Sequence, residues 1–185
     1  MKLIVGLGNP ESDYSATRHN MGFNVINLLA KEYDIDISRT KFEAEYGTGV
    51  IEEEKVMLIK PQTFMNASGK AVIEFVNFYK VPLDDLIVVY DDMDIDIASV
   101  RVRKSGSPGT HNGMKSIVNI LADDRFPRVR VGIGKPAYEE DFVNYVIGAI
   151  PEEELPGLNE GVEKAKDAIV EILRNGIDSA MNKYN

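Results

Sequence analysis

The amino-acid sequence predicts a single α/β domain spanning residues 1–185, with a mixed, mostly parallel twisted sheet and helices on both faces. Three observations predict it. Short runs rich in Val, Ile and Leu alternate along the chain with amphipathic segments of helical period. Hairpin-like pairs of runs are interposed, so the sheet is expected to be mixed. No internal repeat, low-complexity stretch or Pro/Gly-rich linker divides the 185 residues, a length that buries a core without staples.

Residues 2–8, KLIVGLG, read as a buried strand ending in glycines. Residues 17–33 place Phe23, Ile26, Leu29, Ala30 and Tyr33 on one helical stripe, with Thr17 as its cap. Strands near 43–51 and 55–60 are joined by an acidic turn, and Ser68 is placed to cap a helix running to Lys80. Pro82 starts a turn, after which DLIVVYDD (85–92) is a second buried strand. SVRVR (99–103) reads as a more exposed strand; a Gly/Ser/Pro loop follows, then a helix from about Gly113 to Leu121. RVRVGIG (128–134) is a further strand. Alternation puts Arg101 and Arg103 on one face, and Arg128 and Arg130 on another single face. Pro151 opens an acidic C-terminal helix whose first-turn glutamates suit the helix dipole.

Composition narrows the function classes. There is no Cys, which excludes disulfides, a thiolate nucleophile and Cys-ligated metal. No apolar run approaches the ~20 residues that span a bilayer, and the start, MKLIVGLGN, lacks a signal-peptide pattern. A cytoplasmic protein without membrane contact is expected. The formal net charge is −9, which argues against indiscriminate coating of nucleic acid. Yet Arg101 to Lys135 holds eight Lys/Arg against two Asp, a net of +6, so the rest of the chain stands at −15, the difference between −9 and +6. A basic segment on an acidic body points to a local anionic ligand; a solvated basic face is the alternative.

Ligands of open α/β sheets bind beyond the carboxyl ends of the strands. Gly6-Leu7-Gly8-Asn9 and Tyr90-Asp91-Asp92 fall at such ends. The two histidines, His19 and His111, are each followed by Asn, in TRHN and GTHNG. His19 lies at a helix start just after a loop, where a general base can face a cleft. Asp91 closes a buried apolar strand; paired to a histidine, a carboxylate there fixes the tautomer and stabilises imidazolium. A turn or cap role for Asp91 is the alternative. Asn9, Asn66 and Asn112 punctuate Gly- or Pro-rich loops, and an amide can grip an ester or amide without competing for its proton. Asn is also common in tight turns. Other chemistries fit poorly. GLGNPE begins like a dinucleotide fingerprint, but Glu11 stands where its third Gly belongs. GxxxxGK[ST], GxSxG and HExxH are absent. DDMDID lacks the spacing of a calcium loop and reads as a strand end and turn, so no metal is expected.

Taken in order, GLGNP, YSATRHNMGF, KPQTFMNASG, YDDMDI, GTHNGMKSI and FPRVRVGIGKP resemble the motifs of the bacterial peptidyl-tRNA hydrolase family. The resemblance runs from residue 2 to about residue 148; the C-terminal helix fits in position but not in motif. It implies hydrolysis of the ester joining a peptide to tRNA, on a monomeric mixed α/β fold without a cofactor. It implies that His19 is the catalytic base and Asp91 the acid that holds it in its basic form. Asn9 matches the residue that distinguishes N-blocked peptidyl-tRNA from free aminoacyl-tRNA. Tyr14, Phe64, Asn66 and Asn112 match positions contacting the tRNA end and the peptide, and Arg103 and Arg130 match a clamp on the acceptor-stem phosphate. The implied partners are peptidyl-tRNA, through its acceptor stem and CCA end, and the stalled large ribosomal subunit.

The chain departs from the family in four places. Glu11 replaces a usual Gly, Phe64 stands where Tyr is common, Pro108 stiffens a loop less rich in glycine, and Arg103 takes the place of a usual Lys. Two rival classes remain at this point. A non-catalytic RNA-binding module on the same fold would lack turnover. A nucleotide-dependent enzyme such as a dehydrogenase would need the fingerprint that fails.

Overall fold

A computed structural model of the protein describes residues 1–14, 16–138 and 141–185. The α/β fold is as expected. Its strands are β1 (Lys2–Gly6), β2 (Arg39–Lys41), β3 (Ala44–Ile51), β4 (Glu54–Pro61), β5 (Leu86–Asp92), β6 (Val100–Arg103) and β7 (Arg128–Gly132). They form one sheet of order β2-β3-β4-β1-β5-β7-β6. The central run β4-β1-β5-β7 is parallel, while β2, β3 and β6 attach antiparallel at the flanks. The acidic hairpin between β3 and β4 turns at Glu52 and Glu53, both with positive φ (52° and 67°); two left-handed residues match the twist of the strands they join.

Helices α1 (Met21–Glu32) and α5 (Leu155–Asn175) cover one face. Helices α2 (Ser68–Tyr79) and α3 (Asn112–Leu121) cover the other. β1 and β5 are buried on both faces, which is why their sequences are continuous apolar runs. The α1 stripe is as read: Phe23, Ile26, Leu29 and Ala30 are buried and Tyr33 packs at the margin. No described helix is long and apolar enough to cross a membrane.

Two caps differ from expectation. Residues Arg18–Asn20 form a 3-10 turn before α1, and the Thr17 hydroxyl donates to the Tyr14 carbonyl instead of capping. Ser68 is the first residue of α2, and its hydroxyl donates to the Met65 carbonyl at 2.7 Å. Two short elements carry no sequence signal, β2 and α4 (Phe142–Ile147), whereas α6 (Ile177–Tyr184) sets Ile177, Ala180, Met181 and Tyr184 on one apolar stripe at the end of the C-terminal helical segment. α6 is split from α5 by Gly176, whose φ of 91° a side chain would resist. It brings Asn185 to the outer edge of β6. There the asparagine amide donates to the Val102 carbonyl (3.0 Å) and accepts from the Val102 N–H (2.6 Å).

One glycine positions the site. A Cβ on Gly22, in the first turn of α1, would lie 2.4 Å from the Leu7 nitrogen and 2.5 Å from the carbonyl oxygens of Leu7 and Val89. Only a bare backbone lets α1 sit this close to the ends of β1 and β5. The 3-10 turn that precedes it is thereby held over the carboxyl end of the sheet.

Candidate active site

β1 and β5 are adjacent and parallel, so their carboxyl ends open on the same side; the Leu7 N–H donates to the Val89 carbonyl at 3.0 Å. His19 reaches this side from the 3-10 turn and Asp91 from the end of β5. His19 Nδ1 lies 2.9 Å from Asp91 Oδ2 and 3.1 Å from Oδ1. Both groups are buried, Asp91 to 3% exposure, where a carboxylate needs partners.

The second partner is His111, which sequence reasoning left without a role. Its Nε2 lies 3.0 Å from Asp91 Oδ1, while its Nδ1 accepts the Met114 N–H at 3.3 Å and so caps α3. A ring nitrogen that accepts from a backbone N–H carries no proton. His111 is therefore protonated on Nε2 and donates to Asp91. With Asp91 oxygens accepting from His19 Nδ1–H, the neutral His19 keeps its lone pair on Nε2, which has no protein partner among the described residues. The signal for His111 was the repeated His-Asn pair; its link to Asp91 spans 20 residues and has no local signature.

Burial works against a charged His19. The charge of Asp91 and its hydrogen bond outweigh that, and the pKa is raised above 6.5. Burial likewise opposes ionised Asp91, but the two histidines and their hydrogen bonds hold its carboxyl well below the usual range. Tyr90, packed on His111 with ring centroids 5.0 Å apart, is pushed up to about 12 by burial and stays a neutral phenol. The donor atoms of His19, Asp91 and His111 lie within 4.8 Å of one another, a set of metal-ligand type. As arranged, the carboxylate oxygens already serve both rings.

The pair opens on a cleft of about 330 Å³. It is lined by Ser107–Asn112, by Asp92–Asp94 and Arg130, and by Phe142, Val143 and Val146 of α4, which forms one wall. Asn112 begins α3 and is exposed, its amide without a protein hydrogen bond among the described residues. Asn9 and Asn66 lie outside the lining of this cleft. Asn9 is held by a residue the sequence reading did not single out: Asn20 accepts from the Asn9 N–H at 2.7 Å and donates to its carbonyl at 3.0 Å. The residue after His19 thus fixes the loop after β1. Asn66 and Phe64 sit at the 3-10 turn before α2, with Phe64 69% exposed. Tyr14 is half-buried, and its carbonyl anchors the Thr17 hydroxyl.

The arginines require a correction. Strand register pairs Arg101 with Arg130 and Arg103 with Arg128, so all four project from one face of the sheet rather than two. Arg128 is not a solvated residue: it is 1% exposed and donates to the carbonyls of Gly106, Asp124 and Phe126, tying together two loops. Arg130 is the cleft arginine, donating to Asp92 Oδ2 at 3.1 Å. Arg101 stands directly across from it and Arg103 diagonally; each bonds only its own strand's carbonyls among the described residues. Like charges directly opposite destabilise a sheet, and here Asp92 offsets Arg130 while three carbonyls accept from Arg128. In the acidic turn, Asp92 pairs with Arg130 and Asp94 with Lys135, as a strand end and turn would.

Comparison with known proteins gives a family and a fold. A family model described as Peptidyl-tRNA hydrolase matches residues 3–185. A curated relative named Peptidyl-tRNA hydrolase from Thermoanaerobacter sp. is 50% identical over 185 residues, covering 100% of both chains. Another of that name, from Clostridium botulinum, is 51% identical over 100% of this chain and 96% of its own. The crystal structure of peptidyl-tRNA hydrolase from Acinetobacter baumannii superposes with a TM-score of 0.93 at 36% identity, covering 100% of this chain and 96% of that one.

Proposed function

The chain belongs to the peptidyl-tRNA hydrolase family, and we propose that it hydrolyses peptidyl-tRNA with His19 as general base and Asp91 as its orienting acid. The observation that carries the assignment is the buried His19–Asp91 pair, 2.9 Å apart, with Nε2 of His19 left unpartnered at a cleft. Nε2 takes a proton from water as the hydroxide forms a bond to the ester carbonyl carbon. The tetrahedral intermediate then expels the ribose oxygen, which recovers that proton from His19. The products are a peptide carboxylic acid, which gives up its proton to solvent, and tRNA with its terminal hydroxyl restored. Asp91 stabilises the imidazolium in between. An ester has a better leaving group than an amide, so activated water suffices without a covalent nucleophile.

In this reading Asn9, Asn66 and Asn112 position peptide, water and developing oxyanion, Asn9 favouring the neutral amide of an N-blocked substrate over a charged amine. Tyr14 and Phe64 meet the tRNA end. Arg130 and Arg103, with Arg101 beside them, hold acceptor-stem phosphate, which adds affinity without sequence information. The protein acts as a monomer in the cytoplasm, on peptidyl-tRNA released from or held at stalled large ribosomal subunits. A non-catalytic RNA-binding role is not favoured, because it gives the buried His19–Asp91 pair no task. The test is release of the acyl group from N-acetyl-aminoacyl-tRNA. Wild type is expected to turn over, and His19→Ala to lose ~10²–10⁴ in kcat while tRNA binding survives. A folded His19→Ala protein with near-wild-type kcat removes the mechanism.

A further inference from the structure

The α4 wall of the cleft is fastened by the residue that precedes the base. Arg18 is 4% exposed. Its guanidinium lies 3.8 Å from the centroid of the Tyr145 ring, Nη1 donates to the Tyr145 carbonyl at 2.9 Å, and Nη2 donates to Glu154 Oε2 at 2.7 Å. One residue earlier, Thr17 bridges Ala149. Tyr145 in turn donates its hydroxyl to the Ile133 carbonyl at 2.5 Å, just beyond β7. Arg18 Nε is buried without a hydrogen bond among the described residues. A buried ion pair returns little net stability over an apolar side chain of equal volume. What an arginine supplies instead is geometry: a plane that stacks on a ring and a fork that fixes two acceptors at once.

The wall needs such an anchor. α4 has six residues, no side-chain cap and no fully buried residue, and Val143 is 68% exposed. A single helical turn and a half has little stability of its own. We infer that Arg18 is a positioning residue: it sets the distance between the apolar α4 wall and His19, and thereby how closely the cleft fits the acyl side chain of the substrate. Arg18 and His19 share one 3-10 turn, so the wall and the base are referred to the same rigid element. The wall contributes Phe142, Val143 and Val146 to the cleft lining, which also holds Met93, so apolar side chains share the cleft with His19. This inference rests on the proposed hydrolysis of peptidyl-tRNA, with the acyl part in the cleft.

The test compares N-acetyl-phenylalanyl-tRNA with N-acetyl-glycyl-tRNA on wild type, Arg18→Met, Arg18→Lys and Glu154→Gln. Arg18→Met is expected to lose roughly 10–100-fold in kcat/KM on the phenylalanyl substrate, the scale of an ångström of misplacement, and far less on the glycyl one. Arg18→Lys, which keeps the charge but not the fork, falls between. The acid limb of the pH profile stays where it is, because the His19–Asp91 pair is untouched, and amide exchange at residues 145–149 accelerates. Equal losses on both substrates, no loss on either, or a shifted acid limb overturns the assignment. If Arg18→Met does not fold, Glu154→Gln carries the same comparison with a smaller effect in the same direction. If wild type turns over neither substrate, it is the hydrolase reading that fails, and amide exchange still decides whether Arg18 holds α4.

Discussion

Replacing Asp91 by Asn tests the site where it is most constrained. Asp91 has two acceptor oxygens facing two ring nitrogens, Oδ2 toward His19 Nδ1 at 2.9 Å and Oδ1 toward His111 Nε2 at 3.0 Å. An asparagine has one acceptor and one donor for those two places. His111 cannot change tautomer without giving up the Met114 N–H at its Nδ1. If the asparagine oxygen faces His19, the His111 Nε2–H is left buried against an N–H donor, at a cost of about 1–3 kcal/mol. The asparagine therefore turns its oxygen to His111 and its amide N–H to His19. His19 Nδ1 becomes the acceptor, Nε2 carries the proton, and the base is lost. The bias of ~1–3 kcal/mol alone leaves roughly one His19 in 5 to one in 150 in the reactive tautomer. Loss of imidazolium stabilisation adds to it, so kcat is expected to fall by ~10²–10⁴ in total. Single-turnover release of the acyl group measures it. The same reasoning predicts a partial rescue. In Asp91→Asn/His111→Asn the second asparagine still caps α3, no longer competes for the acceptor, and returns the tautomeric share of the loss, roughly 5–150-fold. The pH profile gives the sign independently. In the proposed mechanism the base is neutral His19, whose pKa is raised above 6.5 in the wild type. Wild-type kcat/KM therefore falls as pH drops through a midpoint above 6.5, and removing the carboxylate moves that midpoint down. A double variant no faster than Asp91→Asn alone, or an acid limb that does not move, would refute the shared-carboxylate argument.

Two further perturbations follow from the fold and the arginine face. Arg130→Ala should raise KM and flatten the log–log salt dependence by up to about one unit with little change in kcat, since a phosphate contact releases counterions at about 0.7–0.9 per phosphate. Substrate lacking its 5′ phosphate should show the same defect, and additive losses when the two changes are combined would detach Arg130 from that phosphate. Gly22→Ala forces a methyl against three backbone atoms and should destabilise by about 1–3 kcal/mol, a fall in Tm of roughly 2–12 °C at this chain length. Unchanged melting would mean that α1 does not need its close seat on β1 and β5.

The candidate site residues were legible because each breaks a local pattern. Asp91 ends an apolar strand, and His19 follows a loop at a helix start. The asparagines sit among glycines and prolines. The strand ends that hold Asn9 and Asp91 were legible for the same reason: a parallel sheet aligns the carboxyl ends of adjacent strands. What escaped depends on contacts between distant parts of the chain. Arg128 alternates like a solvated residue, and only the three carbonyls around it, from two loops, make its burial tolerable. His111 looks like a loop histidine until Asp91 arrives from 20 residues away. The two arginine pairs were placed on separate faces because alternation fixes faces within a strand; only register relates one strand to the next. β2 has three polar residues and α4 no cap, so neither offers a period to read.

The asparagine at the edge of β6 bears on how the protein behaves at high concentration. An outer strand presents unpaired backbone donors and acceptors to any other chain that runs alongside. Asn185 offers Val102 the two hydrogen bonds that a neighbouring strand would otherwise supply, so one amide does the work of a plug. Ala180, with Ile177, Met181 and Tyr184 around it, packs α6 onto the core beside that edge. Asn185→Ala, or proteolysis within α6, pulls the plug without touching the cleft. Such material should keep its turnover per folded molecule and yet grow in hydrodynamic size as it is concentrated, one chain pairing with another along β6.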